Sequence, residues 1–299
     1  MKEKVVRSPL FYVGDKYKII SQIKTHLPKG IGKFIEPFVG GGSVFLNVEA
    51  DEFLLNDFNK HVIMIHQMLC SYRGREEDFF KKIFSLIREY GLTSRFLGIN
   101  GHGCNTTGKG ESNVVNRNAY YRMRNDFNSG GTKDTMLLYL LVVYGFNHMI
   151  RFNNAGEFNL PVGNLDFNAN AYNALNDYFV KTGEKRPQWQ SKDFSDFLLG
   201  IDFCKDDLVY LDPPYLISSS EYNKMWDEEC EYKLLEVMDR LDAKGARFAV
   251  SNVVSYRGRR NDIFGQWAKK YNIHPISSNY ISYQDNSRKE CGEVLVTNY

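Results

Sequence analysis

The residues with the clearest capacity for chemistry lie at 209–216, where the sequence reads VYLDPPYL. The apolar residues predict a buried strand, and Pro213 and Pro214 must end it because proline cannot donate a hydrogen bond to a neighbouring strand. We therefore expect Asp212 and Tyr215 at the carboxyl end of the strand, which is the edge where ligands bind in parallel α/β sheets. A proline turn that only closes a strand is the ordinary structural alternative.

An aspartate next to a backbone carbonyl at such an edge suits the alkylation of an exocyclic amine on a nucleic-acid base. Such an amine is a poor nucleophile because its lone pair is delocalised into the ring. If the Asp212 carboxylate and the Pro213 carbonyl each accept one amine hydrogen, the lone pair becomes free to attack a sulfonium methyl group. The ring of Tyr215 offers a face on which a base extruded from a duplex can stack. This chemistry requires neither a metal nor a covalent intermediate.

A second candidate site begins at 34–43, FIEPFVGGGS, which has the pattern of a strand, a glycine-rich turn and a helix. In α/β folds such a turn brings the backbone close to a nucleoside cofactor, and a Cβ there would collide with the ligand. The third position of a G-x-G-x-x-G motif is Phe45, which argues against a nicotinamide or flavin cofactor. The next predicted strand ends at Asp57, whose carboxylate could accept hydrogen bonds from two ribose hydroxyls. A turn without a ligand, and a helix cap at Asp57, are the alternatives.

Two separated blocks of the chain contain short apolar runs that alternate with helical patterns. The first block carries KFIEPF, SVFLNVEA and EFLLND, and the second carries DLVYLD, RFAVSN and EVLVTNY with helical patterns between them. This alternation predicts an α/β fold with a mostly parallel, doubly wound sheet. Residues from about 60 to 170 instead show helical patterns and an Asn/Gly-rich stretch, which predicts an inserted lobe.

Composition limits the classes of protein to which the chain can belong. A hydrophobic content of 43% predicts a compact fold, and the net charge is only +2, so binding to a polyanion would need basic residues gathered on one face. Five scattered cysteines without a Cys-x-x-Cys pair argue against a disulfide scaffold or a zinc ribbon. The sequence has no pattern of a signal peptide or of a membrane span, so we expect a cytoplasmic protein without a membrane partner.

Taken together, these motifs resemble those of the Dam-like N6-adenine-specific DNA methyltransferases, in which the cofactor motif precedes the recognition lobe and Asp-Pro-Pro-Tyr follows it. The resemblance covers nearly the whole chain and is carried by SPLFYVGDKYK, EPFVGGGSVFLN, LLND, FNHMIRFNNAGEFNLPVG, SKDFSDFL, YLDPPY, SNVVSYRG and EVLVTNY. It implies a Rossmann-like S-adenosylmethionine-dependent methyltransferase sheet formed by residues 1–60 and 171–299. Residues 61–170 would be an inserted, mostly helical DNA target-recognition domain.

The resemblance also implies roles for individual residues. The catalytic residues would be Asp212, Pro213, Pro214 and Tyr215. The residues expected to contact S-adenosylmethionine are Tyr12, Lys16, Phe38, Gly40, Asp57, Asp193, Phe194 and Asp212. One departure concerns the N-terminal motif, where the family usually has Gly-Gly-Lys and this chain has Gly14, Asp15 and Lys16.

The segment 146–163 resembles the family region that reads GATC in double-stranded DNA. Arg151 would contact guanine through two hydrogen bonds, and Pro161 would contact a thymine methyl. Phe146 and Asn147 would lie where the family wedges an aromatic side chain into the duplex and contacts the orphaned base. A solvated arginine and a core phenylalanine are the alternative. Basic residues that could contact phosphates are Arg117, Arg122, Arg124, Lys133, Arg257, Arg259, Arg260, Arg288 and Lys289.

Several alternatives remain open from the sequence. The same tetrapeptide would support methylation of cytosine at N4, and RNA or a protein amide could replace DNA as substrate. A DNA-binding module without catalysis is a different class, against which the intact Asp212 and the glycine turn argue. His102 and Cys104 are too few for a metal site, so we expect no metal. We expect a monomer or a weak dimer, and the biological role could be restriction-modification, repair marking or protection of a viral genome.

Overall fold

The computed structural model describes most of the chain, namely residues 4–99, 112–130, 134–218, 226–277, 281–282, 285–288 and 291–299. These residues form two compact units. The first unit contains Met1–Asp15, Gly40–Leu46 and Asn59–Glu184, and the second contains Lys16–Val39, Asn47–Phe58 and Lys185–Tyr299. The functional division into 61–170 and the remainder of the chain stays a prediction, because these units reflect packing and not function.

The regular elements alternate along the chain as the sequence patterns predict. The helices are α1 (Ile20–His26), α2 (Lys60–Ser71), α3 (Glu76–Tyr90), α4 (Ser112–Ser129), α5 (Thr135–Tyr144), α6 (Ala169–Lys185), α7 (Phe194–Leu199), α8 (Glu228–Ala243) and α9 (Asp262–Trp267). The strands are β1 (Lys33–Glu36), β2 (Glu52–Asn56), β3 (Gln188–Gln190), β4 (Leu208–Leu211), β5 (Arg247–Tyr256), β6 (Arg259–Arg260), β7 (Asn272–Ile276), β8 (Ile281–Ser282), β9 (Asp285–Arg288) and β10 (Cys291–Thr297).

The second unit is built around one sheet with the strand order β3-β2-β1-β4-β5-β10-β7, and β6 pairs with β5. Strands β1 to β5 are parallel, whereas β10 runs antiparallel to both β5 and β7. This architecture confirms the α/β class and the mostly parallel sheet. The strand order reverses between β1 and β4, and such a switch point leaves a crevice at the carboxyl ends of the strands.

The core of the second unit explains why its elements pack as they do. Strand β4 is buried along its whole length, as expected for a central strand covered on both faces. Helix α8 buries Leu234, Met238 and Leu241, which recur at helical spacing, and it begins where the Asp227 side chain accepts a hydrogen bond from the Cys230 amide. The acidic side chains in the first turn of α8 also interact favourably with the positive end of the helix dipole.

One expectation about the glycine-rich turn was wrong. The sequence pattern predicts a helix after the turn, but the structure has only a short 3-10 turn at Phe45–Asn47 before β2 begins. The apolar side chains of this segment are all buried, including Val44, Leu46 and Val48. A segment with no polar face cannot lie as an amphipathic helix on a protein surface.

The first unit is a group of helices with an aromatic core. The ring of Phe79 contacts those of Phe80, Tyr139 and Phe179, and helix α5 is buried on nearly all sides. The buried Tyr120 hydroxyl has the carbonyl oxygens of Leu141 and Leu160 within hydrogen-bond distance. Buried tyrosines of this kind need a partner for the hydroxyl. In the described part of the chain, no helix has the length and apolar character needed to cross a membrane.

The carboxylate of Asp207 joins the amino ends of β1 and β4 and provides a test of the sheet. Its oxygens accept hydrogen bonds of 2.9 Å from the backbone amides of Lys33 and Cys204, and the side chain is buried. We expect Asp207→Ala to lower the free energy of unfolding by about 2–4 kcal/mol, because two backbone donors lose their acceptor. Urea unfolding measures this change.

The exposed neighbour Asp206 offers a matched control for that experiment. Its replacement by alanine should change the free energy of unfolding by no more than about 0.5 kcal/mol. If both variants unfold at the same urea concentration, water replaces the Asp207 carboxylate and the proposed link between β1 and β4 contributes no stability.

Candidate active site

The candidate active site is built where β4 ends. The chain leaves the sheet at Asp212, because Pro213 and Pro214 follow the buried strand. The Asp212 Oδ2 atom lies 2.7 Å from Lys16 Nζ, and Oδ1 accepts a hydrogen bond of 2.8 Å from the Tyr215 hydroxyl. The fold therefore brings three of the predicted site residues together, although Lys16 is far from the other two in sequence.

Burial makes this ion pair important for the geometry of the site. The side chain of Lys16 is 3% exposed and that of Asp212 is 19% exposed, so both charges have lost most of their hydration. Their mutual attraction offsets that loss, whereas either charge alone would be costly to bury. Lys16 Nζ also lies 5.2 Å from the centroid of the Tyr215 ring, at cation-π distance. The carboxylate is held in one orientation while part of it remains accessible.

A buried carboxylate that the sequence patterns did not indicate lies near this group. Glu293 is 2% exposed, and its Oε1 atom lies 3.5 Å from the Tyr215 hydroxyl. A β-bulge between Gly292 and Glu293 shifts the register of β10 against β5, and bulges redirect side chains. A Cβ on Gly292 would approach Ser255 Oγ to 2.5 Å, so a larger residue at this position would displace that hydroxyl. The only signal in the sequence was a glutamate beside an otherwise apolar strand.

Three aromatic rings cluster beside the carboxyl end of β1. The centroids of Phe38 and Phe194 are 5.2 Å apart, and the centroid of Trp226 lies 5.8 Å from the first and 5.9 Å from the second. Phe38 and Phe194 were both predicted to contact the cofactor, and the fold places them in contact with each other. Trp226 was not predicted, because it lies in a segment without a recognisable motif.

Asp57 follows β2 directly at the same edge of the sheet. The alternative that it caps a helix is wrong, because the N-cap of α2 is Asn59, whose side chain accepts a hydrogen bond from the His61 amide. A carboxylate at a strand end and a cluster of aromatic rings are the groups that a ribose and a purine require. The residues of the second unit therefore fit an adenosine-containing cofactor in their chemistry.

Asp193 has a structural role that the sequence did not predict. It is the N-cap of α7, where its Oδ1 atom accepts hydrogen bonds from the Ser195 amide at 2.9 Å and from Lys233 Nζ at 3.0 Å. Burial acts to raise the pKa of Asp193, but the hydrogen bonds from Ser195 and Lys233 outweigh it, and the pKa lies below its ordinary value. Its contact with the cofactor stays a prediction.

The glycine-rich turn belongs to the first unit. Gly40 and Gly42 have φ angles of +48° and +81°, which favour glycine, and a Cβ on Gly41 would come within 2.9 Å of Tyr12 Cβ. The carbonyl oxygen of Gly40 accepts a hydrogen bond from Nε2 of the buried His66 at 2.9 Å. The sequence patterns did not indicate this histidine, which anchors the turn.

Residues 145–163, here called the recognition hairpin, form a separate feature of the first unit. Gly145 pairs with Val162, and Phe152 pairs with Phe158, each through an isolated antiparallel bridge. The Phe146 amide also donates to the Pro161 carbonyl at 2.9 Å. The hairpin therefore places Phe146 beside Pro161, and both residues were predicted to contact DNA.

The side chains of the recognition hairpin have distinct environments. Phe146 is 47% exposed, which is unusual for a large aromatic residue and contradicts the alternative of a core phenylalanine. Asn147 and His148 have φ angles of 53° and 54°, a conformation that costs energy in residues other than glycine. The Arg151 guanidinium donates to the Asn159 side chain at 2.9 Å and to its carbonyl at 3.0 Å, so its orientation is constrained.

Several of the residues predicted to contact phosphates have partners within the protein. The Arg122 guanidinium donates to the Glu89 carbonyl, and the Arg124 guanidinium lies over the Tyr121 ring. The backbone of Arg288 pairs with Ile281 in the two-stranded sheet of β8 and β9. Four residues named above lie outside the described part of the chain: His102, Cys104, Lys133 and Lys289. Within the described ranges, no group of three or more His, Cys, Asp or Glu side chains could hold a metal ion.

These features define a class of protein. A parallel sheet with a switch point presents groups suited to a nucleoside, and beside them a carboxylate that can accept hydrogen bonds from an amine. Comparison with known proteins agrees, since a model of the D12 class N6 adenine-specific DNA methyltransferases matches residues 12–281. The chain belongs to this family. By its description, this family methylates adenine in DNA at N6.

Several curated proteins are similar over almost the whole chain. Over 98% of the present chain, it is 34% identical to the type II methyltransferase M.FokI of Planomicrobium okeanokoites. Over 99% of the present chain, it is 32% identical to the modification methylase StsI of Streptococcus sanguinis. The chain spans 43% of the length of each of these two relatives. It is 26% identical to the DNA adenine methylase of Escherichia coli (strain K12), where it covers 94% of the relative.

Protonation of His66 provides a pH test of the anchored glycine turn. Burial lowers the pKa of His66 to about 4, and the hydrogen bond to Gly40 only partly opposes this effect. Because the folded-state pKa is the lower one, the unfolded chain binds more protons below its own pKa of about 6.5. Stability is therefore fully present above that pH and is lost as the pH falls toward 4.

Between pH 7 and pH 4.5 the free energy of unfolding should fall in both proteins. We expect the fall to be about 2–3 kcal/mol smaller in His66→Gln than in the unmodified protein. Urea unfolding at several pH values measures the difference, and the values at pH 8 provide the baseline for each protein. An identical pH dependence in the two proteins would show that His66 is already able to accept a proton in the folded state.

Proposed function

We propose that the chain transfers a methyl group from S-adenosylmethionine to the exocyclic N6 amine of adenine in duplex DNA. The observation that carries the proposal is the Asp212 carboxylate at the switch point, held by Lys16 and Tyr215. Family membership supports adenine as the target base. The names of the relatives, which include DNA adenine methylase and modification methylase, support the same reaction.

In the proposed mechanism, the chain's own residues make the amine nucleophilic. The cofactor, when bound, would supply an electrophilic methyl group on its sulfonium, and loss of that group would leave a neutral thioether. The Asp212 carboxylate and the Pro213 carbonyl accept the two amine hydrogens, which draws the nitrogen toward tetrahedral geometry and frees its lone pair. As the nitrogen gains the methyl group it must lose one proton, and Asp212 is the acceptor in contact with it. The ring of Tyr215 provides the face on which the extruded base stacks.

The ion pair with Lys16 has a role in this mechanism. In the described structure, each Asp212 oxygen already has a donor, one from Lys16 and one from the Tyr215 hydroxyl. An incoming amine would share or displace one of these donors, and the remaining one would keep the carboxylate in place. Lys16 would be the donor with the stronger hold, because a charge-assisted contact is stronger than a hydrogen bond between neutral groups.

For the remaining cofactor contacts, we propose the residues at the carboxyl edge of the sheet. The carboxylate of Asp57 would bind the ribose hydroxyls, and the rings of Phe38 and Phe194 would contact the adenine. Contacts of Tyr12 and Gly40 with the cofactor remain predictions from the family resemblance.

We further propose that the recognition hairpin reads the base sequence, and that GATC is the first site to test. The exposed Phe146 would enter the duplex, Arg151 would hydrogen-bond a guanine, and Pro161 would contact a thymine methyl. The exposed ring of Phe146 and the constrained guanidinium of Arg151 support this assignment. Phosphate contacts by Arg288 and the other basic residues would add affinity without sequence preference.

Loss of the carboxylate tests the reaction. We expect Asp212→Ala and Asp212→Asn to lower methyl transfer at least about 100-fold, because the amine loses its acceptor. Binding of S-adenosylmethionine should remain within about tenfold of the unmodified protein, since the carboxylate acts on the amine. The measurement is mass spectrometry of nucleosides after incubation with the cofactor and an unmethylated duplex that contains GATC.

The control variant is Asp206→Ala, at the opposite end of the same strand, which should keep full activity. Methyladenine from the unmodified protein would establish the reaction, whereas N4-methylcytosine would keep the mechanism and change the target base. Bound cofactor without any methylated base in DNA would instead favour RNA or protein as substrate, or a DNA-binding module. An active Asp212→Ala would overturn the mechanism.

Sequence recognition is tested by Arg151→Ala. We expect this variant to weaken binding to the cognate duplex by about 1–3 kcal/mol and to relax the choice of base at the guanine position. The control is Arg88→Ala on α3 of the same unit, whose guanidinium donates to a carbonyl of its own helix. Competition between GATC and singly altered duplexes measures the preference, and unchanged discrimination in Arg151→Ala would refute the assignment of the hairpin.

A further inference from the structure

A buried carboxylate outside the catalytic group holds Trp226 in place. Glu231 lies in the first turn of α8 and is completely buried. Its Oε2 atom accepts a hydrogen bond of 2.7 Å from the indole Nε1 of Trp226. The polar end of the indole is therefore attached to the inside of the second unit, and the rotation of the ring is restricted.

The other oxygen of Glu231 joins two further elements. Its Oε1 atom accepts hydrogen bonds from the side-chain amides of Asn252 at 3.2 Å and Asn261 at 2.7 Å. Asn252 lies in β5, and Asn261 is the N-cap of α9, where it accepts a hydrogen bond from the Phe264 amide. The carboxylate thus receives three N–H donors, which is the arrangement that a buried anion requires. Such a network fixes one position for the indole.

The ring that this network holds faces the predicted cofactor residues. Trp226 packs edge-on against Phe38 at 78° and is tilted against Phe194 at 45°. Phe194 is buried, whereas Phe38 and Trp226 are partly exposed. Two partly exposed rings that lie on a buried third ring form a surface on which a purine can stack. Phe38 follows β1 at the switch point, where a nucleoside is expected in this fold.

We propose that Trp226 contacts the adenine of S-adenosylmethionine, and that Glu231 is the positioning residue that holds the indole for this contact. The inference rests on the proposed use of S-adenosylmethionine. The ligand is the cofactor adenine and not the target adenine, because Trp226 packs on Phe38 and Phe194, whereas the target amine is assigned to Asp212 and Tyr215.

The first test compares variants of Trp226 by calorimetric titration with S-adenosylmethionine. We expect Trp226→Ala to raise the dissociation constant about 3- to 10-fold, as the loss of one aromatic contact should. Trp226→Phe keeps an aromatic face and should stay within about threefold of the unmodified protein. Binding of duplex DNA without the cofactor should be unchanged in both variants.

The matched control is Trp267→Phe. Trp267 belongs to the same unit, and its indole also donates to a carboxylate, that of Asp239, at 2.8 Å. Its ring packs on Phe248, Phe264 and Tyr271 in place of the predicted cofactor residues. This variant should bind the cofactor normally. It should also keep any change of tryptophan fluorescence caused by the cofactor, and Trp226→Phe should lose most of that change.

The positioning role of Glu231 is tested with Glu231→Gln. Glutamine has one acceptor oxygen where three donors converge, so the amide cannot satisfy them all. We expect cofactor binding to weaken about as much as in Trp226→Ala, with little further loss when the two substitutions are combined, because both act through the same ring. Additive losses, or an equal weakening of DNA binding, would show that Glu231 only supports the fold.

The outcomes separate the two proposals. If the unmodified protein binds S-adenosylmethionine and Trp226→Ala binds it equally well, the contact with adenine is refuted and the proposed function stands. If Trp226→Ala loses only DNA binding or only the rate of methyl transfer, the ring contacts the target base and the inference is wrong. If the unmodified protein does not bind the cofactor, the proposed function fails together with the inference.

Discussion

The ion pair between Lys16 and Asp212 is the interaction on which the candidate active site depends. The two prolines after Asp212 force the strand to end, which places a carboxylate at the edge of a buried sheet. The ammonium of Lys16 is buried, and burying a charge without an opposite charge beside it is costly. The charge of each residue therefore stabilises the charge of the other. The Tyr215 hydroxyl, which donates to the same carboxylate, completes a group with little freedom to rotate.

The charges of two carboxylates of the second unit are stabilised in different ways. Asp212 is paired with a cation and remains partly exposed, whereas Glu231 is fully buried and receives neutral N–H donors. The difference agrees with their proposed roles. A carboxylate that accepts hydrogen bonds from a substrate must be able to exchange partners, and the exposed part of Asp212 allows this. A carboxylate that positions a ring must keep its partners, and the closed network of Glu231 achieves it.

Two glycines determine how closely the chain segments of the recognition hairpin approach each other. A Cβ on Gly145 would approach the Leu141 carbonyl to 2.5 Å, and one on Gly163 would approach the Gly145 carbonyl equally closely. Glycine at both positions lets the two chains of the hairpin meet close to α5. The left-handed conformations of Asn147 and His148 follow the exposed Phe146, and this conformation costs more energy for histidine than for asparagine.

The sequence by itself determined the α/β class, the end of β4 at the prolines and the order of the motifs, because each follows from a local pattern of residues. It also indicated most residues of the candidate site, although it wrongly predicted a helix after the glycine turn. Only the tertiary structure decided the partners of charged and aromatic groups that lie far apart in the chain. Residues identified in this way are His66, Trp226, Glu231 and Glu293. Their roles could not be predicted, because the role of such a residue depends on its partners in the fold. The packing of the sheet and helices determines which partners are within reach.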